Sequence, residues 1–440
     1  MIHKFKKNGK NFIVDSNSGA IHLSDDVVYE ILDFYTPGCS VSDSKFEQIF
    51  LKYGKQRSLD AFAEIEFLVR NGKLFSSSNY RDGISVLSPI KAMCLNVSHD
   101  CQLRCRYCFA SHGDFGGNRC LMSFQTAKNA IDFLIMKSAN RHNLEVDFFG
   151  GEPMMNFDVI KSTVKYAKNK AKIFNKNFRF TITLNGLGLD DDKINFLNEE
   201  MSNIVMSLDG RRHINDYMRV TKSGIGTYDL VIDNFRKIVK SRGKKDYYIR
   251  GTYTKRNLDF SKDVIHIYNL GFKKISLEPA VIDEDIDYAL DMSDLEKISQ
   301  EYDILADWIY KTKKEDPELL FFHFNVDLKN GPCLTKRLKG CGCGNDYIAV
   351  TPNGDIFPCH QFVGQDSYLM GNVNNCTFFD DIKLKSIKNL KSHLDNCENC
   401  WIKNFCSPCI SKTEKSSNLG CAISRSRFES FCGFLLNQHR

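Results

Sequence analysis

Residues 93–110 read MCLNVSHDCQLRCRYCFA: an apolar run, Met93 to Val97, passes directly into a loop carrying Cys101, Cys105 and Cys108. A short apolar run bounded by polar residues predicts a buried strand, so the three thiols converge in one loop at that strand's C-terminal end. Further candidate strands follow at Leu144 to Phe149, Phe178 to Leu184, Ile204 to Leu208, Tyr247 to Thr254 and Lys274 to Glu278. Helical stretches lie between them, such as Phe124 to Ser138, opened by Ser123 as N-cap, and Asp158 to Lys172. Six such units in series predict an α/β fold, a parallel sheet curled into a full or partial (β/α)6 TIM-like barrel with its functional groups at the C-terminal strand ends.

On the N-terminal side, residues 1 to about 80 show strand-like pieces, Phe12 to Asp15 and Ala20 to Leu23, then helical periodicity around Val27 to Tyr35, Phe46 to Tyr53 and Leu59 to Arg70. This small set suggests a winged-helix module, and the polar, turn-rich Ser76 to Val86 marks a linker. Beyond a charged helical stretch at Asp294 to Lys314, 11 of the 17 cysteines lie from Cys333 onward, in a region with little regular periodicity. The expected domains are 1–80, 88–315 and 320–440.

The net charge of +6 is small for 440 residues and is dispersed through predicted helices, so no nucleic-acid partner is implied. The basic stretch MIHKFKKNGKNFIVD lacks the apolar run of a signal peptide, and no stretch approaches the ~18 apolar residues of a membrane span, so a cytoplasmic protein with no membrane partner is expected. Seventeen cysteines in a reducing compartment point to metal or redox chemistry rather than disulfides. Cys39, Cys94 and Cys120 are expected to be buried apolar fillers.

Three thiolates hold three irons of a 4Fe-4S cluster and leave the fourth open, whereas a complete structural cluster or zinc site takes four ligands. An open iron can chelate the amino and carboxylate groups of S-adenosyl-L-methionine (SAM), and one electron passed to the sulfonium then releases a 5′-deoxyadenosyl radical. Phe109 can pack on the adenine or be a simple core aromatic. The second strand ends in Gly150-Gly151-Glu152, where paired glycines let the backbone approach a ligand and Glu152 can accept from an ammonium group. Polar groups recur along the same rim, at Asn185 and at Ser207 and Asp209, which can bond ribose hydroxyls. Arg219 or Arg250 can pair with the cofactor carboxylate; loop caps and surface ion pairs are the plainer alternatives.

In this order the motifs resemble the radical SAM superfamily over roughly residues 90 to 280, with Glu278 at a position where its members approach the cofactor. Cys341, Cys359, Cys397, Cys400, Cys406, Cys409 and Cys421, with Gly354 five residues before Cys359, resemble a SPASM domain. The pattern departs at Cys406-Ser407-Pro408-Cys409, where two residues stand in place of three. The resemblance implies two auxiliary 4Fe-4S clusters, a distal one on Cys397, Cys400, Cys406 and Cys421 and an inner one on Cys341, Cys359 and Cys409, leaving Cys333, Cys343 and Cys432 spare. A zinc ribbon on Cys397, Cys400, Cys406 and Cys409 is the alternative. An auxiliary cluster can accept the surplus electron of an oxidative ring closure, and one with a free iron can bind a substrate thiolate.

The stretches MIHKF, VDSNSGAIHLSDDVVYEILD, VDFFGGEPMMNFDV and GPCLTKRLKGCGCGNDYIAVTPNGDIFPCHQFVG are similar to thioether-forming maturases of six-cysteine (SCIFF) and other Cys-rich ribosomal peptides, of ranthipeptide or sactipeptide type. The resemblance implies a Cys-rich precursor peptide whose leader adds a strand to a sheet edge of the N-terminal module, and a low-potential electron donor, flavodoxin or ferredoxin. One rival is a sulfatase-type maturase that oxidises a single Cys or Ser. Another is a redox-sensing DNA-binding regulator, against which Phe46 to Tyr53 offers only Lys52 as a basic residue. No general base is singled out.

Overall fold

The computed structural model describes residues 1–77, 89–280, 282, 285–326, 342–375, 400–403, 405–406 and 414–438. The N-terminal part is a three-stranded antiparallel sheet of β1 (Ile2–Lys7), β2 (Lys10–Asp15) and β3 (Ile21–Ser24), followed by helices α1 (Asp26–Ile31), α2 (Glu47–Tyr53) and α3 (Lys55–Arg70). β1 is additional to the two strands expected. Its signal is Asn8-Gly9, whose φ values of 50° and 68° make the two-residue turn that a right-twisted hairpin favours. Asp25 caps α1 by accepting the Val28 N–H at 3.0 Å, and Ile13, Val27, Ile31, Phe46, Phe62 and Ile65 form a core of the module's own. β2 lies in the middle, so β1 and β3 are edges. β1 is covered: His3 stacks on Trp401 with ring centroids 3.8 Å apart, and Lys7 pairs with Asp303 at 2.7 Å. Among the described residues β3 pairs with β2 alone.

The next strand, β4 (Ala92–Ser98), is the apolar run before the cysteine loop, and all its residues are buried. It leads to α4 (Phe124–Lys137), which Ser123 caps by accepting the Thr126 N–H at 3.0 Å. Then come β5 (Asn143–Gly150), α5 (Phe157–Phe174), β6 (Asn177–Leu184), α6 (Asp191–Glu200), β7 (Asn203–Ser207), α7 (Arg212–Met218) and α8 (Tyr228–Arg242). β8 (Asp246–Tyr253), α9 (Ser261–Asn269), β9 (Lys274–Pro279) and α10 (Leu295–Glu315) complete the series. β4 to β9 lie side by side in chain order and all parallel, the mixed α/β arrangement of a partial barrel. Alternation sorts the side chains: Leu144, Val146 and Phe148 join Ile131, Ile160 and Val164 in the main core, while Asp147 and Phe149 face the other way.

The tail extends this same sheet at both sides. β10 (Leu320–Phe321) pairs with β9, and β11 (Tyr347–Val350) runs parallel to β4, continued antiparallel by β12 (Asp355–Phe357) and β13 (Gly371–Asn372). Strands of two to four residues are too short to show a period, which is why none is evident in the sequence. The last helix, α11 (Glu414–Gln438), docks on α10 through Ser430, whose hydroxyl donates to Asp303 at 2.7 Å, and seats Phe431 and Phe434 against Phe324. Among the described residues no helix is long and apolar enough to cross a membrane.

Candidate active site

The loop after β4 is held from two sides. Arg104 and Arg106 donate their backbone N–H groups to Val220 O and Met218 O at 2.7 and 2.8 Å, so the loop runs along the segment leaving α7. The Arg104 guanidinium braces it from within, bonding the carbonyls of Cys101 and Leu103 at 2.9 and 2.6 Å. Cys101 is buried, and its Sγ accepts from Leu103 N–H at 3.4 Å and Asn185 Nδ2 at 3.7 Å. Burial, with the nearby Glu152 carboxylate, pushes its thiol up to about 12; Cys105 is raised too, by burial, with Arg219 opposing. Thiols raised in this way keep their protons at neutral pH until a metal displaces them. Among the described residues no three Cys, His, Asp or Glu side chains converge on a single-ion site. A 4Fe-4S cluster places each thiolate on a different iron, so its ligands need no such convergence.

Gly150 and Gly151 meet a steric demand in addition to the role expected of them. A Cβ on Gly150, whose φ is +127°, would lie 2.1 Å from Ser98 O, and one on Gly151 would lie 2.3 Å from Asp100 O. The atoms they approach belong to the last residue of β4 and to the start of the cysteine loop, so the glycines let the end of β5 pack under that junction. Gly150→Ala is expected to displace the loop and to cost more than the ~1–3 kcal/mol of ordinary overpacking, because backbone rather than a flexible side chain is struck. Thermal unfolding together with iron content of the reconstituted variant measures this; a wild-type melting point would show the clash to be relieved.

Glu152 is 1 % exposed, and its two carboxylate oxygens accept the N–H groups of Met154 at 3.0 Å and Asn185 at 2.7 Å, tying the end of β5 to the end of β6. Burial raises its pKa to about 7 against an ordinary 4.5, despite those bonds. A carboxyl raised in this way favours the fold while protonated, and that contribution is lost as pH rises through about 7. A cationic ligand reverses the preference by stabilising the carboxylate. SAM affinity is therefore expected to rise as pH increases toward and through about 7, by up to about tenfold per unit, and Glu152→Gln to flatten the profile. Calorimetric titration of the cluster-loaded protein across this range is the check.

Asp209, expected as a ribose contact, is fully buried and already engaged. Its carboxylate accepts from the Tyr107 hydroxyl at 2.9 and 2.7 Å and from Thr252 N–H at 2.9 Å, and burial lifts its pKa to about 6. Arg219 is buried beside it and donates to the same Tyr107 hydroxyl at 2.9 Å. Burial opposes the Arg219 charge, while Tyr107, Cys105 and Asp209 hold it. This network pins the cysteine loop to the ends of β7 and β8. Tyr107 was not among the expected site residues; its one signal is an aromatic inside the cysteine triplet. The two arginines differ, since Arg250 is exposed on β8 and Arg219 is not. Ser207, Arg250 and Ser276 are register partners across β7, β8 and β9 and so share one face. One residue pair further on, Glu278 lies 3.5 Å from His323 and 3.8 Å from Arg427 of α11. Phe109 is 47 % exposed, with its ring centroid 6.4 Å from Phe149 and 5.8 Å from His360.

In the tail, Cys359 follows β12 and its Sγ accepts the Gln361 N–H at 3.3 Å. A hydrogen bond from Cys343 lowers its pKa in spite of burial. Cys400, Cys406 and Cys421 are half-buried, and Arg425, one turn beyond Cys421, donates to Cys400 Sγ at 3.7 Å. Cys432 lies instead in the main apolar core. Of the expected fillers, Cys94 is buried, whereas Cys39 and Cys120 are only partly so. Cys333, Cys341, Cys397, Cys409 and most of the expected linker fall outside the described residues.

Residues 95–254 match the model of the Radical SAM superfamily, and residues 341–401 match that of SPASM, an iron-sulfur cluster-binding domain. The chain thus carries a radical SAM domain followed by a SPASM domain, the combination of an enzyme whose cofactors are SAM and 4Fe-4S clusters. Among individual proteins it is similar to a cysteine-type anaerobic sulfatase-maturating enzyme of Clostridium novyi, 26% identical over 76% of this chain and 92% of the relative. It is also similar to the radical SAM cyclopropyl synthase TigE of Paramaledivibacter caminithermalis, 23% identical over 94% of this chain and 89% of the relative. In fold it resembles native anSMEcpe with bound AdoMet, with TM-score 0.65, 19% identity, and 79% and 98% of the two chains covered. Streptococcus suis SuiB bound to S-adenosylmethionine gives TM-score 0.53 at 17% identity over 94% and 96%.

Proposed function

We propose that this enzyme installs thioether crosslinks in a Cys-rich ribosomally synthesised precursor peptide, joining a cysteine sulfur to a carbon of another residue. In this reading Cys101, Cys105 and Cys108 hold the SAM-binding cluster, and Glu152, Asn185, Ser207, Arg250, Glu278 and Phe109 line the cofactor and substrate space. Asp209 and Arg219 act on it through Tyr107. The donor set fits: three cysteines on one braced loop, with two N–H donors already aimed at Cys101 Sγ. When bound, the cluster and SAM supply one-electron cleavage of the sulfonium and a radical able to abstract hydrogen. The chain's own part is to brace the loop and present Glu152 to the cofactor amine. Each crosslink removes two hydrogens: one enters 5′-deoxyadenosine, the thiol proton goes to solvent, and one electron goes to an auxiliary cluster.

The observation that carries the reading is the N-terminal module, docked by β1 and, among the described residues, paired along β3 with β2 alone. The sulfatase-maturating enzyme of Clostridium novyi and anSMEcpe are matched over 92% and 98% of their own length but only 76% and 79% of this chain, so about a fifth of it is surplus to them. The N-terminal module, residues 1–77, is of about that length and suits a leader-binding sheet edge. Leu23 on β3 is 53 % exposed. Leu23→Asp is expected to weaken leader binding by about 10–100-fold, the loss of roughly 1.5–3 kcal/mol of apolar burial; an unchanged calorimetric affinity would remove β3 as the docking edge.

The near full-length match to a cyclopropyl synthase favours a second reading, carbon–carbon ring closure on a peptide. Both reactions lower the product mass by two hydrogens, but only the thioether consumes a thiol. Mass spectrometry with thiol alkylation therefore separates them: one alkylation site lost per crosslink is expected, all thiols retained would favour ring closure, and an unchanged mass would exclude both.

A further inference from the structure

We propose that the outer face of the cysteine loop is the docking surface for the acidic one-electron carrier that reduces the first cluster. This rests on that cluster and not on the thioether reading. The loop reaches solvent here, since Cys105 is half-buried and its neighbour Arg106 is exposed. Leu103 bridges Thr221 in antiparallel fashion, and Val220 bridges Gly226, so residues 220–226 fold into a small hairpin beside the loop. The tip of this hairpin is tightly bonded. Thr221 N–H donates to Ile225 O at 2.8 Å, Gly224 N–H to Thr221 O at 3.0 Å, and Ile225 N–H to the Thr221 hydroxyl at 3.1 Å.

Exposed cations stand at both ends of the loop. At its start, Arg119 and Lys222 both reach Asp100, at 3.6 and 3.8 Å. These cations are about half exposed, whereas Asp100 and Asp114 are 22 % and 23 % exposed, so positive charge lies outermost. At the other end, the Arg106 and Arg256 guanidinium groups lie 4.8 and 5.4 Å from the centre of the Tyr217 ring, and Arg106 Nε donates to Tyr217 O at 2.7 Å. Tyr288 braces the same place by donating to Arg106 O at 3.1 Å. Ile225 at the hairpin tip is 61 % exposed, and Leu121 and Tyr217 are exposed as well. Singly, such residues need no partner. Together around one loop, apolar and aromatic side chains with fixed arginines have the composition of a protein interface. A solvated face looks different: on α5, Lys161, Lys168 and Lys170 pair with Asp158, Glu200 and Asp132. The occupant follows from charge and need. The cluster takes its electron from outside the chain, and a carrier with an acidic rim around its flavin or iron-sulfur group is steered to outward cations. With a flavin carrier, the hydroquinone anion becomes the neutral semiquinone as the cluster is reduced by one electron, with no bond made and no proton moved.

The test uses the full-length, cluster-loaded enzyme, with flavodoxin as the probe and dithionite as a reductant that needs no docking. Calorimetry at low and high salt gives the flavodoxin affinity, and 5′-deoxyadenosine formation is timed with each reductant. In the double variant Arg119→Glu, Lys222→Glu, flavodoxin affinity should fall by about 10-fold or more and lose much of its salt dependence. Dithionite-driven turnover should stay at the parental rate. Lys172→Glu, on the solvated face of α5, should change neither. Unchanged affinity in the double variant overturns the proposal, as does an equal loss in Lys172→Glu. An equal loss in Lys403→Glu, beside Cys400, also overturns it by placing the carrier on the tail. A parent that binds no flavodoxin overturns it too. If dithionite-driven turnover falls in the double variant, the charge reversal has disturbed the loop, and Ile225→Asp at the hairpin tip carries the comparison with the same expected and overturning results.

Discussion

Replacing Cys105 with Ala is expected to abolish 5′-deoxyadenosine formation, with a loss well beyond the ~10–100-fold that follows removal of a residue outside the ligand sphere. Cys105 sits midway along the loop that Arg104 and Arg106 fasten to the segment after α7, so its main chain stays in place when the thiol is removed. What disappears is one of three thiolates in a set with no spare. No other described cysteine lies on this loop; Cys94 and Cys120 flank it and bond Asn96 and Asn353. The measurement is chromatographic detection of 5′-deoxyadenosine from SAM under dithionite, with iron counted in the same sample. Turnover near that of the parent would show that Cys105 is not a ligand.

Asp209→Ala is expected to be the most destabilising substitution at the site, by about 3–5 kcal/mol, because it strands the buried Arg219 without its carboxylate. The Tyr107 hydroxyl and the Thr252 N–H lose their acceptor at the same time. Arg219→Ala should cost a similar amount by stranding Asp209. The double substitution should cost much less than the sum, since each residue's penalty is chiefly the charge left on the other. Denaturant unfolding of the three variants is the check, and strict additivity would mean that the two charges do not interact. Tyr107→Phe removes the hydroxyl that bridges them and should fall between the parent and Asp209→Ala.

Both effects were only half legible in the sequence. The parallel barrel was fully so, because β4 to β9 are long enough to show their apolar runs and are separated by capped helices such as that opened by Ser123. The N-terminal module was legible except for β1, whose basic alternation hides a strand that the Asn8-Gly9 turn betrays. The short strands of the tail were not legible. α11 was not legible either: Ile423, Phe428, Phe431 and Phe434 mark a buried face, but cysteine spacing is the dominant pattern of that region.

The amino-acid sequence by itself determined which atoms can do the chemistry: three closely spaced thiols after a buried strand, a Gly-Gly-Glu turn one unit later, and a cysteine-dense tail. Spacing along the chain suffices there, because a loop of a few residues cannot separate its own side chains. Only the tertiary structure decided how the remaining polar residues divide. Asp209 and Arg219, which look like cofactor contacts, are consumed in a buried network with Tyr107, while Arg250 stays exposed. Gly150 and Gly151 let the end of β5 pack closely against the end of β4 and the start of the cysteine loop. Among the described tail cysteines, Cys343 meets Cys359 and Cys432 goes to the core. The physical reason is the same in each case. Whether a polar group is free for a ligand depends on what other segments bring against it, and such partners lie far away in the chain, 112 residues for Tyr107 and Arg219.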